Sequence, residues 1–275
     1  MIEQHLEIEG SNGRKIAIDY RYKTTDKLVT PIVYIHGFKG FKDWGSSNKV
    51  ADTFAENGFF YLKFNFSHNG VTQENPIDFV DLEAFGNNNY YLEFLELGLI
   101  IDWLEKENLP IDFSKLAVIG HSRGGGIALL RTAQDTRIYK AITWASVSDF
   151  ESRFPKDVSE WETNGVVYIY NGRTEQNMPL NFQFYSSFYA HKQVLDIPKR
   201  CLDITQNVLV IHGTEDPVVG MEEAKEICRK VKYATLEIIE NSGHTFGGFH
   251  PEKGNVLPSD LYKVVQLSIA FLLKL

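Results

Sequence analysis

Apolar and polar residues alternate on both sides of Ser11-Asn12-Gly13, from residue 2 to residue 22. A period of two around an Asn-Gly turn predicts a β-hairpin. Beyond it the pattern changes to compact apolar runs separated by amphipathic stretches. Pro31 introduces Ile32-Val33-Tyr34-Ile35, which reads as an interior strand. A helix is predicted from about Ser46 to Asn57, with Val50, Ala51 and Phe54 on one face and Gly58 as its stop. Phe59 to Phe66 is strand-like by its aromatic content, and a polar loop follows from Ser67 to Asn75. Tyr90, Phe94, Leu97, Ile101 and Leu104 then recur at helical spacing before Pro110. Next come a short strand ending at Ile119, a helix through Ile127-Ala128-Leu129-Leu130-Arg131, and a strand from Ile138 to Ala145. The rhythm is lost after residue 149 and resumes near Thr205. From there it gives strand Val208–Ile211, a helix around Glu222 to Val231, strand Leu236–Ile239 and a last helix from Ser259.

Strands alternating with helices predict an α/β fold: a mostly parallel central sheet, helices on both faces, and the antiparallel N-terminal hairpin at one edge. The chain shows no internal repeat and no low-complexity segment. It reads as one domain over residues 1–275 with a single interruption at about 150–204.

The break after Ile119 has a specific form. Gly120-His121-Ser122-Arg123-Gly124 places a serine between two glycines at a strand-to-helix turn, the G-x-S-x-G nucleophile elbow. Such a turn holds its serine in a strained backbone conformation, so the neighbours must carry almost no side chain. It projects the hydroxyl beside the free N–H groups at the start of a helix, where an oxyanion can be held. In a parallel sheet ligands sit outside the carboxyl ends of the strands. Each predicted strand can be asked what it delivers there. Ile35 delivers His36-Gly37-Phe38, Ile119 delivers Ser122, Ile211 delivers His212 to Asp216, and Ile239 delivers Ser242-Gly243-His244. A serine nucleophile needs a base, and the base needs a carboxylate to fix its tautomer. Ser122, an acid and His244 occur in that chain order, with Asp216, its neighbour Glu215, and Asp149 after the strand near Ala145 as candidates for the acid.

Composition narrows the partners. The chain carries a formal net charge of -8 and no long basic run, which argues against nucleic acid and anionic membranes. Its start lacks the basic and apolar regions of a signal peptide, and no apolar run approaches a membrane span, so a cytoplasmic protein is expected. Cys201 and Cys228 are too few for a disulfide framework, and no metal-ligand spacing occurs, so neither metal nor cofactor is expected. His36 and His121 read as packed residues at strand ends, and His5, His68, His191 and His250 as surface or loop residues.

The segments His36-Gly37-Phe38, Gly120-His121-Ser122-Arg123-Gly124-Gly125, His212-Gly213-Thr214-Glu215-Asp216-Pro217-Val218-Val219 and Gly243-His244 resemble the α/β-hydrolase superfamily over nearly the whole chain. More narrowly, they resemble its dienelactone-hydrolase-like and small serine carboxylesterase branch. Dienelactone hydrolases proper carry Cys as nucleophile, and Ser122 stands here instead, which favours ordinary ester chemistry. The resemblance implies Asp216 as the acid and an oxyanion hole from the backbone N–H groups of Phe38 and Arg123. It also implies that residues 150–204 form a cap over the site. That segment is rich in aromatics, among them Phe150, Phe154, Trp161, Phe184 and Phe188, most of which read as the insertion's own small core. The alternation from Gly165 to Arg173 predicts a hairpin within it, and Arg153 and Arg173 read as solvated arginines rather than partners of a substrate carboxylate. The expected function is hydrolysis of a small-molecule carboxylic ester through an acyl-enzyme on Ser122, with no cofactor. A peptidase or amidase of the prolyl-oligopeptidase type is the alternative on the same machinery, although the chain has no room for the propeller of its large members. A non-catalytic binding protein is the alternative of another class.

Overall fold

The computed structural model describes residues 1–252 and 254–274. Among the described residues ten strands form, in chain order β1 (Ile2–Glu9), β2 (Lys15–Tyr22), β3 (Thr30–Ile35), β4 (Phe59–Phe64), β5 (Ala117–His121), β6 (Lys140–Trp144), β7 (Val166–Asn171), β8 (Gln176–Asn181), β9 (Asn207–Gly213) and β10 (Ala234–Ile239). Eight of them make one sheet in the order β1-β2-β4-β3-β5-β6-β9-β10. β1 pairs antiparallel with β2, and β2 with β4; every later pairing is parallel. Chain order reverses beside β3, since β4 lies on one side of it and β5 on the other. That is the switch point where a parallel sheet opens a crevice.

Alternation along the central strands divides the core into two layers, as a period of two requires. Val33, Ile35, Val118, Ala141, Val208 and Val210 face one side. There they meet α3 (Tyr90–Lys106), α4 (Arg123–Gln134) and α9 (Met221–Lys230). Ile32, Ile119, Ile142, Trp144, Leu209 and Ile211 face the other. Their partners are α1 (Ser47–Glu56) and α10 (Ser259–Leu273). The Asn89 side chain caps α3 by accepting from the Leu92 N–H at 2.9 Å. A short helix α2 (Leu82–Asn87), capped by Asp81 on the Ala84 N–H at 2.9 Å, precedes it. Six residues carry too little periodicity to announce a helix in the sequence.

Between β6 and β9 the chain leaves the sheet. It forms α5 (Ser159–Asn164), the antiparallel hairpin β7–β8, α6 (Gln183–Ala190), α7 (Lys192–Leu195) and α8 (Ile197–Arg200). The hairpin expected within Gly165 to Arg173 turns after Asn171 and extends to Asn181. An aromatic cluster holds the segment together: Phe154 lies 5.2 Å from Phe188 and 5.8 Å from Phe184, and the Trp161 indole donates to the Leu180 carbonyl at 2.8 Å. It docks on the start of α3, where Tyr90 stacks on Phe150 at 3.8 Å and Asn89 donates to the Gln183 side chain at 2.8 Å. Among the described residues no helix is long and apolar enough to cross a membrane.

Candidate active site

The elbow is built as its sequence demands. Ser122 has φ 56° and ψ −121°, a conformation costing a non-glycine residue about 1–3 kcal/mol. Three hydrogen bonds hold it. The Ser122 N–H donates to the Trp144 carbonyl at 2.9 Å, and its own carbonyl accepts from Gly125 at 3.0 Å and Val147 at 3.3 Å. The glycines are required by close approach. A Cβ on Gly120 would fall 2.2 Å from the Gly124 carbonyl oxygen, and one on Gly124 would fall 2.4 Å from that of Ile35. The same contact presses the start of α4 against the end of β3. A Cβ on Gly37 would lie 3.0 Å from the Ser122 Cβ, so the chain entering Phe38 passes directly beside the serine.

Asp216 and His244 meet across the ends of β9 and β10. His244 Nδ1 donates to Asp216 Oδ2 at 2.7 Å, while Asp216 Oδ1 accepts from the Val218 and Val219 N–H groups at 2.8 and 2.9 Å. The Asp216 side chain is fully buried. Burial alone would raise its carboxyl, but hydrogen bonds from His212, His244 and the Val219 amide outweigh that and hold it far below the usual carboxylate range. His212, also fully buried, has Nε2 3.4 Å from Asp216 Oδ2 and 2.8 Å from the Val219 carbonyl. Reading the chain by its strand ends assigns His212 no role in the site. Its spacing, four residues before the acid on the same strand end, is the only signal that it braces it.

The rival acids lie elsewhere. Glu215 is exposed, and Asp149 accepts from the Glu151 and Ser152 N–H groups at 3.0 Å each. His121 Nε2 donates to the His244 carbonyl at 2.9 Å, fixing the backbone of that residue. Burial, and then the neighbouring His244, push its imidazole down to about 3. His36 Nδ1 donates to the Gly37 carbonyl at 2.9 Å, and burial pushes that ring to about 4. Both are neutral at working pH and packed at strand ends.

His68 and His250 lie in loops, as read from the sequence, but are packed there. His68 is 3% exposed and bonded through Nδ1 to Ser67 Oγ at 2.7 Å. His250 packs 5.1 Å from Phe41 and accepts from the Gly45 N–H at 2.9 Å. Arg153 is exposed, as expected, and pairs with Glu223. Arg173 lies over the rings of Phe41 and Phe79 instead of extending into solvent. The Arg123 guanidinium, unremarked in the sequence, is buried 4.0 Å above the Phe38 ring and 3.2 Å from Glu93. Cys201 and Cys228 are unpaired thiols. Among the described residues no group of His, Cys, Asp and Glu is placed to hold a metal ion.

Two cavities open onto the site. One, of about 490 Å³, is walled by Tyr90, Phe150, Phe154, Trp161, Val167, Ile169, Leu180 and Phe184, with Arg123 beside the serine and Arg153, Asp157 and Glu160 also on its wall. The other, of about 390 Å³, is lined by His244, Trp44, Lys39, Asn171 and Arg173 among others. They share two residues, Ser122 and Phe38, and only the second includes His244.

The model of the prolyl oligopeptidase family matches residues 83–260. No curated protein matches the chain. Solved structures with similar folds include Est1E from Butyrivibrio proteoclasticus with ferulic acid bound, 17% identical over 98% of both chains with a TM-score of 0.75. The α/β hydrolase GrgF from Penicillium sp. sh18 is 14% identical over 99% of this chain and 98% of its own, with a TM-score of 0.75. Mouse α/β hydrolase domain-containing protein 10 is 14% identical over 98% of both chains, with a TM-score of 0.68. At such identities these likenesses establish the α/β-hydrolase fold.

Proposed function

The chain belongs to the prolyl oligopeptidase family, serine hydrolases of the α/β fold, and on that premise we propose that Ser122, His244 and Asp216 hydrolyse a carboxylic ester with a bulky apolar acyl group. His244 Nε2 takes the Ser122 proton as Oγ bonds to the ester carbonyl carbon. The carbonyl electrons move onto oxygen, where the Phe38 and Arg123 N–H groups receive them. Collapse breaks the bond to the alcohol oxygen, and His244 returns its proton to that oxygen. A water then gives a proton to His244 and its hydroxide to the acyl carbon. The released serine recovers the proton, and the acid leaves. Asp216 holds His244 in the tautomer with Nδ1 protonated, so Nε2 is free to act.

One observation carries the reading: Ser122 and Phe38 are the two residues common to both cavities, and His244 borders one cavity alone. The departing alkoxide must reach His244, so the alcohol lies on the His244 side. The acyl group is left to the larger, aromatic chamber, with residues 150–204 acting as its cap. An enclosure of about 490 Å³ within the usual range of ligand sites suits an aryl or medium-chain acyl group. The ferulic acid in Est1E supports an acid of that kind.

Initial rates on p-nitrophenyl esters of increasing acyl length test this. The expected profile rises to an optimum at aryl-propionyl or medium-chain acyl groups and falls beyond it. Val167, half-buried on the cap hairpin, faces this chamber. Val167→Phe fills part of it and is expected to move the optimum to shorter chains. An optimum at acetyl, unmoved by Val167→Phe, would place the acyl group elsewhere. The family match also favours a second reading, cleavage of a peptide bond. Aminoacyl p-nitroanilides hydrolysed faster than the matched esters would establish it.

A further inference from the structure

We infer that the alcohol released here carries an anionic oxygen group, a carboxylate or a phosphate, held by Arg173 and Lys39 in the chamber bordered by His244. The inference rests on the ester reading above, which assigns that chamber to the leaving group. Its first support is charge. The chain has a net charge of -8, yet the described residues lining this chamber include Lys39 and Arg173 and no carboxylate. An acidic protein that presents only cations along one recess focuses a positive potential there. A neutral or cationic alcohol gains nothing from that lining.

The second support is how Arg173 is held. It stands at the turn of the β7–β8 hairpin with its side chain 22% exposed, its guanidinium 5.6 Å from the Phe41 ring centre and 5.5 Å from that of Phe79. Nη2 donates to the Ile77 carbonyl at 3.0 Å. Its acidic neighbour is weak: Asp78 Oδ1 lies 3.6 Å from Nη1, on a side chain that is 62% exposed. A long, screened bridge of that kind neutralises little of the charge. The fork is thus oriented in advance, and its planar donors match a carboxylate or phosphate better than an ammonium would.

The third support is unmet hydrogen bonding in the same turn. Asn171, 6% exposed and part of the chamber wall, accepts from the Arg173 N–H through Oδ1 at 3.3 Å. That fixes the amide the other way round for Nδ2, which has no partner among the described residues. Buried polar atoms are almost always bonded, so an unmet donor on the chamber wall marks a place completed by a polar guest.

The experiment compares kcat/KM for hexanoyl esters of three alcohols of similar size: glycolate, 2-hydroxyethyl phosphate and neutral glycolamide. The expected result is at least tenfold preference for an anionic ester over the glycolamide ester, since a charge-assisted contact in a recess is worth about 10- to 100-fold. Which anion leads distinguishes carboxylate from phosphate. Arg173→Gln should collapse the anionic-to-neutral ratio toward one, Lys39→Gln should lower it, and Arg173→Lys should restore part of it. A merely structural role for Arg173 would scale all rates together and leave the ratio alone. Should none of the three esters turn over, the alcohols are tested as protectants of Ser122 against a fluorophosphonate. Slowing by glycolate or the phosphate and not by glycolamide supports the inference. A wild-type ratio near one, a ratio unmoved by Arg173→Gln, or equal protection overturns it. Hydrolysis that survives Ser122→Ala would instead overturn the ester mechanism, a separate result.

Discussion

Replacing Ser122 by alanine is expected to lower kcat on the best p-nitrophenyl ester by about 10⁶, because nucleophile, base and acid act as a unit. What remains should be the about 10³–10⁴-fold advantage over water that an oxyanion site and binding supply without a nucleophile. The fold should survive. Alanine adopts the Ser122 backbone conformation as readily as serine, and the three hydrogen bonds that hold the turn all come from main-chain groups. The Oγ makes no hydrogen bond on which the core depends, since the serine faces the two cavities. Near-native circular dichroism with kcat reduced a million-fold, and loss of covalent labelling by a fluorophosphonate, is therefore the expected combination. Retention of more than a few per cent of the ester rate in the purified variant would remove Ser122 from the mechanism.

Much of this arrangement was legible in the chain. The fold was written in two periods. A period of two around Ser11-Asn12-Gly13 gave the edge hairpin, and apolar runs alternating with helical spacing gave the parallel sheet. The elbow was legible because its geometry tolerates so few residues: Gly120 and Gly124 face main-chain oxygens at distances that leave no room for a Cβ. Asp216 and His244 followed from the rule that a parallel sheet delivers its chemistry at strand ends, although choosing Asp216 over Glu215 needed a family resemblance.

The segment from 150 to 204 resisted, and the reason is physical. Its helices are four to eight residues long, and its rings serve two surfaces at once. Phe154, Trp161 and Phe184 pack on one another and also wall the larger cavity, so no single periodicity marks either task. Arg173 looked solvent-bound for the same reason. The rings beneath it, Phe41 and Phe79, lie about a hundred residues or more away in sequence, and nothing local announces them. His68 and His212 are buried by contacts that exist only once the sheet has formed.

Asp216→Asn is expected to cost about 10⁴ in kcat with little change in KM, and the hydrogen bonds around the carboxylate say why. Oδ1 accepts from two main-chain N–H groups, those of Val218 and Val219. In asparagine the amide oxygen must stay there, since an NH₂ facing two donors would leave all of them unpaired. The NH₂ is then turned toward His244 Nδ1, where Oδ2 now accepts. Facing a donor, His244 keeps its proton on Nε2 instead, and the nitrogen that should take the Ser122 proton is already occupied. The variant retains shape and loses the tautomer. The pH dependence distinguishes this from a shifted titration. The folded carboxyl lies far below the ordinary carboxylate value of about 3.9, so its stabilising contribution is complete above that value and is lost only as pH falls through the folded one. With His36 at about 4 and His121 at about 3, none of these three groups changes charge between pH 5 and 9. The tautomer is set by the amide NH₂ and not by pH, so raising the pH in that range should not rescue Asp216→Asn toward the wild-type rate. A loss smaller than tenfold would mean that another carboxylate orients His244, and Glu215→Gln, expected to be near neutral, would then show the larger effect.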